Sequence, residues 1–539
     1  MSVSGLSAAS LWLTRNVTVN ASQYLRDAAA ANGAAVALIE VRHQRRQVTW
    51  AEFDRAADAV ARSLSARGYV AGHRVAIVMS NRIDLAVSYY GILRGGLVAV
   101  PINPRSSAQE ISRMLSDSKA RIAFCDEVAI DDVRAAAKAS SDSLTIALVG
   151  ARPKSGELSF DDFLSTVEGP EPVAPADPES LAVLLYTSGT SGKPRGAMLP
   201  HRALIANIEQ IAQLDPPAMT GDDTCLALLP LFHIYGLNAV LGQAVRQCAR
   251  TVLVDGFDPG GLLDLIAELG ITNVPIAPPV IAAWAGRDDL REKLTGVRRV
   301  VSGAAPLDPD LADAFEASSG VFVDQGYGLT ETSPVVTTTL GWDRDHDEVP
   351  KRGTVGRPLP GIELRIVDVS GTDANQGDPA EIWVRGDNVF VGYWPDGQDG
   401  PDVDGWYPTG DIGFIDEDGG LTLVDRLKEL VIVSGFNVYP TEVEEIISEV
   451  SGVSQVAVVG VPDEETGEAV HAFVVPTNDV AAEEGELKTA VHAACESKLA
   501  RFKWPKNVVI VQGLPYSVTG KVAKGRLRAL ARSQMLGLD

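Results

Sequence analysis

Short β-branched runs alternate with helical text over most of this chain, and that alternation limits the fold more than any other feature. From Val48 the text VTWAEFDRAADAVARSLSARG is apolar at helical spacing and is closed by Gly68. The strand-like runs HRVAIVMSN and GLVAVPIN then flank the helical LAVSYYGILRGG. The pattern continues through LAVLLY (181–186), TVLVD (251–255), TNVPI (272–276), RRVVS (298–302) and VFVDQ (321–325). Buried strands separated by helices predict α/β layers with largely parallel sheet. GPEPVAPADP (169–178), rich in proline and acid, predicts a surface connector. Over 361–424 the strands IELRIVD, AEIWVRG and GLTLVD stand among turns, which predicts a compact β subdomain. After Asp425 the chain restarts with LVIVSG and the helix PTEVEEIISEV, then two strand runs, a helix and a basic end. The expected fold is therefore α/β. Two αβ-layered sheets and a β subdomain fill residues 1–425, and a small α+β domain fills 426–539.

At 539 residues the chain exceeds one hydrophobic core. Its 47 basic and 71 acidic residues leave a net charge of −24, which argues against a sequence-independent nucleic-acid binder. Cys125, Cys225, Cys248 and Cys495 are far apart and form no CxxC, so four reduced thiols are expected. The start, MSVSGLSAASLWLTRN, lacks a basic n-region, and no apolar run reaches 18 residues. A cytoplasmic protein without a transmembrane segment is expected. Peripheral membrane contact and the choice between monomer and homodimer stay open.

YTSGTSGKPRGAMLPH (186–201) gathers glycines, hydroxyls and cations in one short span. It is not a P-loop, which needs GxxxxGK followed by Ser or Thr. Thr187 stands where the first glycine is required, and Pro194 follows Lys193. Backbone N–H groups freed by glycines, with Thr187, Ser188, Thr190, Ser191 and Lys193, still suit an anion nest. A flexible Gly/Ser surface loop is the competing reading of this segment alone.

Six segments in order decide between the two. YTSGTSGKPRGA, LPLFHIYG, QGYGLTE, WYPTGD, DRLKELVIVSGFNVYPTEVE and PYSVTGK together resemble the adenylate-forming superfamily. That family includes acyl-CoA synthetases, coumarate-CoA ligases, firefly luciferase and peptide-synthetase adenylation domains. The resemblance runs from about Val48 to about Arg528. It implies a large N-terminal domain and a C-terminal lid that rotates between two half-reactions. In the first, a carboxylate attacks the α-phosphate of ATP to give an acyl-adenylate and pyrophosphate. In the second, a thiol attacks the mixed anhydride. ATP, Mg²⁺ and CoA are the implied small molecules.

The resemblance assigns roles residue by residue. Thr187, Ser188, Gly189, Thr190, Ser191, Gly192 and Lys193 match the loop for the β- and γ-phosphates, whereas Arg195 stands where most members carry Lys. In QGYGLTE, comprising Gln325, Gly326, Tyr327, Gly328, Thr330 and Glu331, the Tyr327 ring faces adenine and Thr330 meets phosphate. Glu331 supplies an oxygen to Mg²⁺. Asp411 and Arg426 match ribose contacts, and Lys521 matches the lysine that bridges carboxylate and α-phosphate. Lys428 falls at the lid hinge, and Gly435 and Phe436 match the loop that turns toward CoA. Lys524, Arg526 and Arg528, beyond Lys521, read as a solvated cationic face.

His233, in LPLFHIYGLN, matches the segment beside the reacting carboxylate and the thiol channel. No carboxylate stands where amino-acid-activating relatives bind an ammonium, so a simple carboxylic acid is expected. The helix PPVIAAW (278–284) and the turn SGAAP, with small Gly303 and Ala304, are the expected acyl-pocket walls. FNVYPTEVEEII and GVPDEETGEAV resemble bacterial fatty-acyl-CoA ligases, whereas LPLFHIYGLN also resembles coumarate-CoA ligases. A medium- or long-chain fatty acid is the expected substrate and CoA the expected acceptor. An aryl-CoA ligase, an acyl-AMP ligase feeding a carrier protein, and a nucleotide-binding sensor without catalysis are the alternatives. A long apolar tunnel ending near Ala282–Trp284 would mark a fatty acid; a short flat pocket would mark an aryl acid. His73, where relatives commonly have Asp, receives no role.

Overall fold

The computed structural model describes residues 19–535, apart from 43, 140–142, 166–176, 188–193, 343–349, 427–428, 434–435, 464–465, 478–483 and 517–520. Most of the 169–178 connector therefore lies outside the described residues. Among those described, the strands form four sheets. The largest has nine strands, in the order Arg357–Pro358, Val335–Thr338, Val323–Gly328, Arg299–Ser302, Asn273–Ile276, Thr224–Ala227, Arg250–Val254, Val36–Val41 and Arg46–Thr49. Its central strands run parallel. A seven-stranded sheet runs parallel until its last strand, Arg195–Pro200, which turns back against Leu181–Thr187. These are the two αβ layers that the alternating text implies, and their central strands, such as Thr224–Ala227, Asn273–Ile276, Val98–Pro101 and Ile122–Cys125, are buried end to end.

The helix Ile83–Arg94 is buried on nearly every side because it packs against strands of both large sheets. The helices Trp50–Ala66 and Ala108–Ser118 begin at capping boxes, Thr49 with Glu52 and Ser107 with Glu110. Asn81 joins the two layers. Its buried amide donates to the carbonyls of Ala227, Leu229 and Val254 and accepts from the Leu231 N–H. Asn81→Ala strands all four groups, so it is expected to cost about 2–4 kcal/mol. An unshifted urea midpoint in tryptophan fluorescence would contradict this.

A four-stranded antiparallel sheet, Glu363–Val367, Ala380–Arg385, Tyr407–Ile415 and Leu421–Arg426, is the expected β subdomain. Beyond it lies a smaller α+β unit. Its sheet is built on the long hairpin Val453–Asp463 and Gly467–Pro476 and is packed by the helices Pro440–Ser448, Glu484–Lys498 and Lys524–Met535. Asp425 accepts hydrogen bonds from the N–H and hydroxyl of Thr441, in the first turn of Pro440–Ser448.

Two expectations fail here. Lys524 is not on a solvated face: its ammonium is largely buried and pairs with Glu444 at 2.9 Å and Glu429 at 3.2 Å. An ammonium near the start of a packed helix needs such partners. Trp284, in the helix expected as an acyl-pocket wall, lines no accessible pocket. It is 0% exposed in the core beneath the nine-stranded sheet and donates its indole N–H to the Pro259 carbonyl. Ala282 and Ala283 face outward instead.

Candidate active site

The strand Val323–Gly328 carries Gln325, Gly326, Tyr327 and Gly328, and a single 3₁₀ turn, Thr330–Thr332, follows it. Gln325 and Gly326 are held by the neighbouring strand: the Gln325 carbonyl accepts from Thr339 N–H and the Thr338 hydroxyl, and Gly326 pairs with Thr338. A Cβ at Gly328 would stand 1.9 Å from the Pro334 carbonyl oxygen, so the tight return after this strand admits only glycine. Tyr327 donates its hydroxyl to Asp411 Oδ2 at 2.8 Å, and both residues are buried. Arg426 lies directly across the ladder from Asp411. Two sequence motifs 84 residues apart thus share one hydrogen bond. Thr187 ends the strand Leu181–Thr187 opposite Arg195. Ser188, Gly189, Thr190, Ser191, Gly192 and Lys193 lie outside the described residues, as do Lys428 and Gly435.

Thr330 is half-buried and Glu331 buried. Glu331 Oε1 accepts from the Tyr393 hydroxyl at 2.5 Å, and its backbone carbonyl accepts from Phe390 N–H. Three buried asparagines fix the loop around it. Asn388 donates to the Thr332 carbonyl, Asn238 to the Ser333 carbonyl, and Asn207 exchanges two hydrogen bonds with Val335. Among the described residues no cluster of three His, Cys, Asp or Glu side chains forms a protein metal cage. One buried carboxylate does fit Mg²⁺, which is usually held by one or two carboxylates plus substrate phosphates. A bound Mg²⁺ would neutralise phosphate charge, with Glu331 as its protein ligand.

His233 precedes a π-helix, Tyr235–Gly242, whose wide turns are frequent at functional sites. Its ring lies 4.7 Å from that of Phe232, and its buried Nε2 has no hydrogen-bond partner among the described residues. Burial, and then the Lys521 ammonium, hold the imidazole at a pKa of about 4, so it is neutral at physiological pH. Lys521, exposed on the small C-terminal unit, therefore stands within electrostatic reach of a residue 288 positions earlier in the chain.

Gly303 does not simply expose backbone. A Cβ there would meet the Tyr235 ring at 2.5 Å, so the glycine makes room for that ring. Ala304 next to it is exposed with φ of 69°, a left-handed conformation that costs a non-glycine residue about 1 kcal/mol or more. Phe436, on the outer face of the C-terminal unit, stacks on Phe502 at 4.9 Å. His73 lies apart from all of these, lining a cavity of about 140 Å³ with Arg74, Lys119 and Arg121.

Family comparison agrees with this geometry. Residues 25–394 match the AMP-binding enzyme family, and residues 442–521 match the AMP-binding enzyme C-terminal domain. The chain is a member of the AMP-binding enzyme family. It thereby belongs to the adenylate-forming superfamily. This AMP-binding enzyme is 35% identical over 525 residues to 4-coumarate–CoA ligase-like 9 of Oryza sativa subsp. japonica, covering 95% of this chain and 92% of that one. It is 33% identical over 491 residues to a long-chain-fatty-acid–CoA ligase of Yersinia pestis, covering 86% of each. ATP-bound MatB from Rhodopseudomonas palustris superposes with a TM-score of 0.86 at 31% identity, covering 96% of this chain and 100% of that one. No helix among the described residues is long and apolar enough to cross a membrane.

Sequence reasoning on the AMP-binding enzyme missed Tyr235, Tyr393 and the three asparagines. Asn238 left one trace, a polar residue inside the apolar run after His233. Tyr393 left none, because its partner lies 62 residues away.

Proposed function

We propose that this AMP-binding enzyme is an ATP-dependent acid–CoA ligase. A carboxylate oxygen attacks the α-phosphorus of ATP, the bond to the β-phosphate oxygen breaks, and pyrophosphate leaves. The sulfur of CoA then attacks the acyl carbon, AMP departs, and the thiol proton passes to solvent. The observation that carries this reading is the hydrogen bond from Tyr327 to Asp411, which joins two motifs of the chain, with Lys521 within electrostatic reach of His233. Tyr327 faces adenine, Asp411 and Arg426 bind ribose, and Thr330 with residues 187–193 holds the phosphates. Lys521 stabilises the approach of two anions, and a neutral His233 leaves that work to it. Residues 426–539 rotate about Lys428 for the second step, bringing Gly435 and Phe436 toward CoA.

The acid we favour is flat and ring-bodied, which replaces the fatty acid expected from sequence. Tyr235 stands against Gly303, at the turn read as an acyl-pocket wall, and a ring there favours a flat acid over an extended alkyl chain. Burial raises its phenol pKa, so it stays protonated, and its hydroxyl makes no hydrogen bond with the described residues. Such a group suits a polar substituent on the substrate ring. The similarity to coumarate-CoA ligases supports this reading. The Yersinia pestis relative favours a fatty acid as the second reading.

The test is pyrophosphate release across benzoates, cinnamates and C6–C18 fatty acids, with and without CoA, followed by mass analysis of products. Highest kcat/KM on a hydroxylated aryl acid, with thioester as product, is expected. A preference for long alkyl acids overturns the ring reading, and adenylate without thioester overturns CoA as acceptor. Tyr235→Phe should lower kcat/KM by about 3- to 10-fold on hydroxylated acids, the effect of one neutral hydrogen bond, and leave unsubstituted ones unchanged.

A further inference from the structure

Arg195 departs from the lysine common in the family, and the structure gives its guanidinium a specific occupation. It lies 3.7 Å above the centroid of the Tyr393 ring and pairs through Nη2 with Asp399 at 2.6 Å. The same ring sends its hydroxyl to Glu331 Oε1. Phe390 packs edge-on against both Tyr393 and Tyr407, at 5.1 and 5.0 Å. Backbone pairing fixes the segment: Tyr393 bridges Ala197, and the Trp394 N–H donates to the Gly196 carbonyl. A Cβ at Gly196 would press into Leu184, so this register is tight.

We propose that Tyr393 is a positioning residue for Glu331, and that Arg195 sets its strength. This rests on the reading that Glu331 holds Mg²⁺ with ATP. A cation over the ring face draws electron density from the phenol and makes its O–H a better donor. That O–H fixes one carboxylate oxygen, which leaves Oε2 as the ligand oxygen in a defined orientation. Partners that orient metal ligands in this way change metal affinity by about 10- to 100-fold. Arg195 begins the strand that leaves the phosphate loop, so the hairpin and the metal carboxylate are braced by one side chain. A lysine there carries the charge but not the flat guanidinium that stacks on the ring while pairing with Asp399.

The experiment measures ATP binding by calorimetry across a Mg²⁺ series, alongside the Mg²⁺ dependence of pyrophosphate release. The proteins are wild type, Tyr393→Phe, Arg195→Met, Arg195→Lys and Glu331→Gln. Tyr393→Phe is expected to raise the half-saturating Mg²⁺ concentration about 10-fold, while kcat at saturating Mg²⁺ stays within about 2-fold of wild type. Arg195→Met should move it about 3-fold in the same direction, with Arg195→Lys between Arg195→Met and wild type. ATP binding without Mg²⁺ should not move in Tyr393→Phe. A fall in kcat at every Mg²⁺ concentration would assign Tyr393 a merely structural part and overturn the proposal. Unchanged Mg²⁺ dependence in Tyr393→Phe overturns it too, provided Glu331→Gln shifts that dependence. If Glu331→Gln shifts nothing, the metal role of Glu331 fails first and the positioning role falls with it.

Discussion

Lys521→Ala is expected to slow pyrophosphate release by about 100-fold or more, the effect of removing one preorganised donor from a transition state. Thioester formation from supplied acyl-adenylate should fall far less, because no second anion approaches a phosphate in that step. Equal losses in the two assays would contradict this division of labour. The same variant carries a second readout. The Lys521 ammonium disfavours the charged imidazolium of His233, so its removal must raise the His233 pKa above about 4. Burial is the larger cause of the depression and persists, so the pKa should stay below the ordinary value near 6.5. Imidazole NMR, with His233→Gln to assign the signal, measures this even when turnover is too slow to follow. An unmoved His233 would mean that the two residues do not meet in solution.

Asp411→Ala is the second large effect. A carboxylate that accepts from both ribose hydroxyls makes two charge-assisted hydrogen bonds, each contributing about 1.5–3 kcal/mol. Their loss raises KM for ATP by more than about 100-fold, and kcat changes much less because the ribose hydroxyls are not the reacting atoms. Tyr327 is affected as well, since its hydroxyl donates to Asp411. Asp411→Asn should recover part of the affinity, because an amide oxygen still accepts from Tyr327. Should KM for ATP stay within 3-fold of wild type in Asp411→Ala, the ribose assignment is wrong.

The layered sheets were legible because their strands are continuous apolar runs such as LAVLLY, and buried strands separated by helices admit few arrangements. Tyr327, Asp411 and Lys521 are singled out in the sequence by motif resemblance, and the hydrogen bond between the first two is what the fold adds. What stayed hidden depends on tertiary contact. Lys524 reads as one more cation in a basic stretch, and only the fold brings Glu429 and Glu444 to it. Trp284 reads as a pocket wall until helix packing turns it toward the core. Asn207, Asn238 and Asn388 have no periodic signature, because a buried amide is placed by the carbonyls it must satisfy rather than by helical or strand spacing. Gly303 was noticed for its smallness, but the reason for it is the Tyr235 ring.

The π-helix Tyr235–Gly242 also bears on how such a pocket changes over generations. Its hydrogen bonds span five residues where an α-helix spans four, so it stores one residue of slack next to the contact of Tyr235 with Gly303. Deleting one residue there would tighten it to an α-helix, and the helix after it would keep its facing because the π-turn absorbs the loss. Asn238 anchors the segment to Ser333. A single codon lost or gained thus re-sets the side chains inside the π-turns at once while Glu331, Asp411 and Lys521 keep their places. Indels, rather than point substitutions alone, then become a route to new acid specificity in this enzyme.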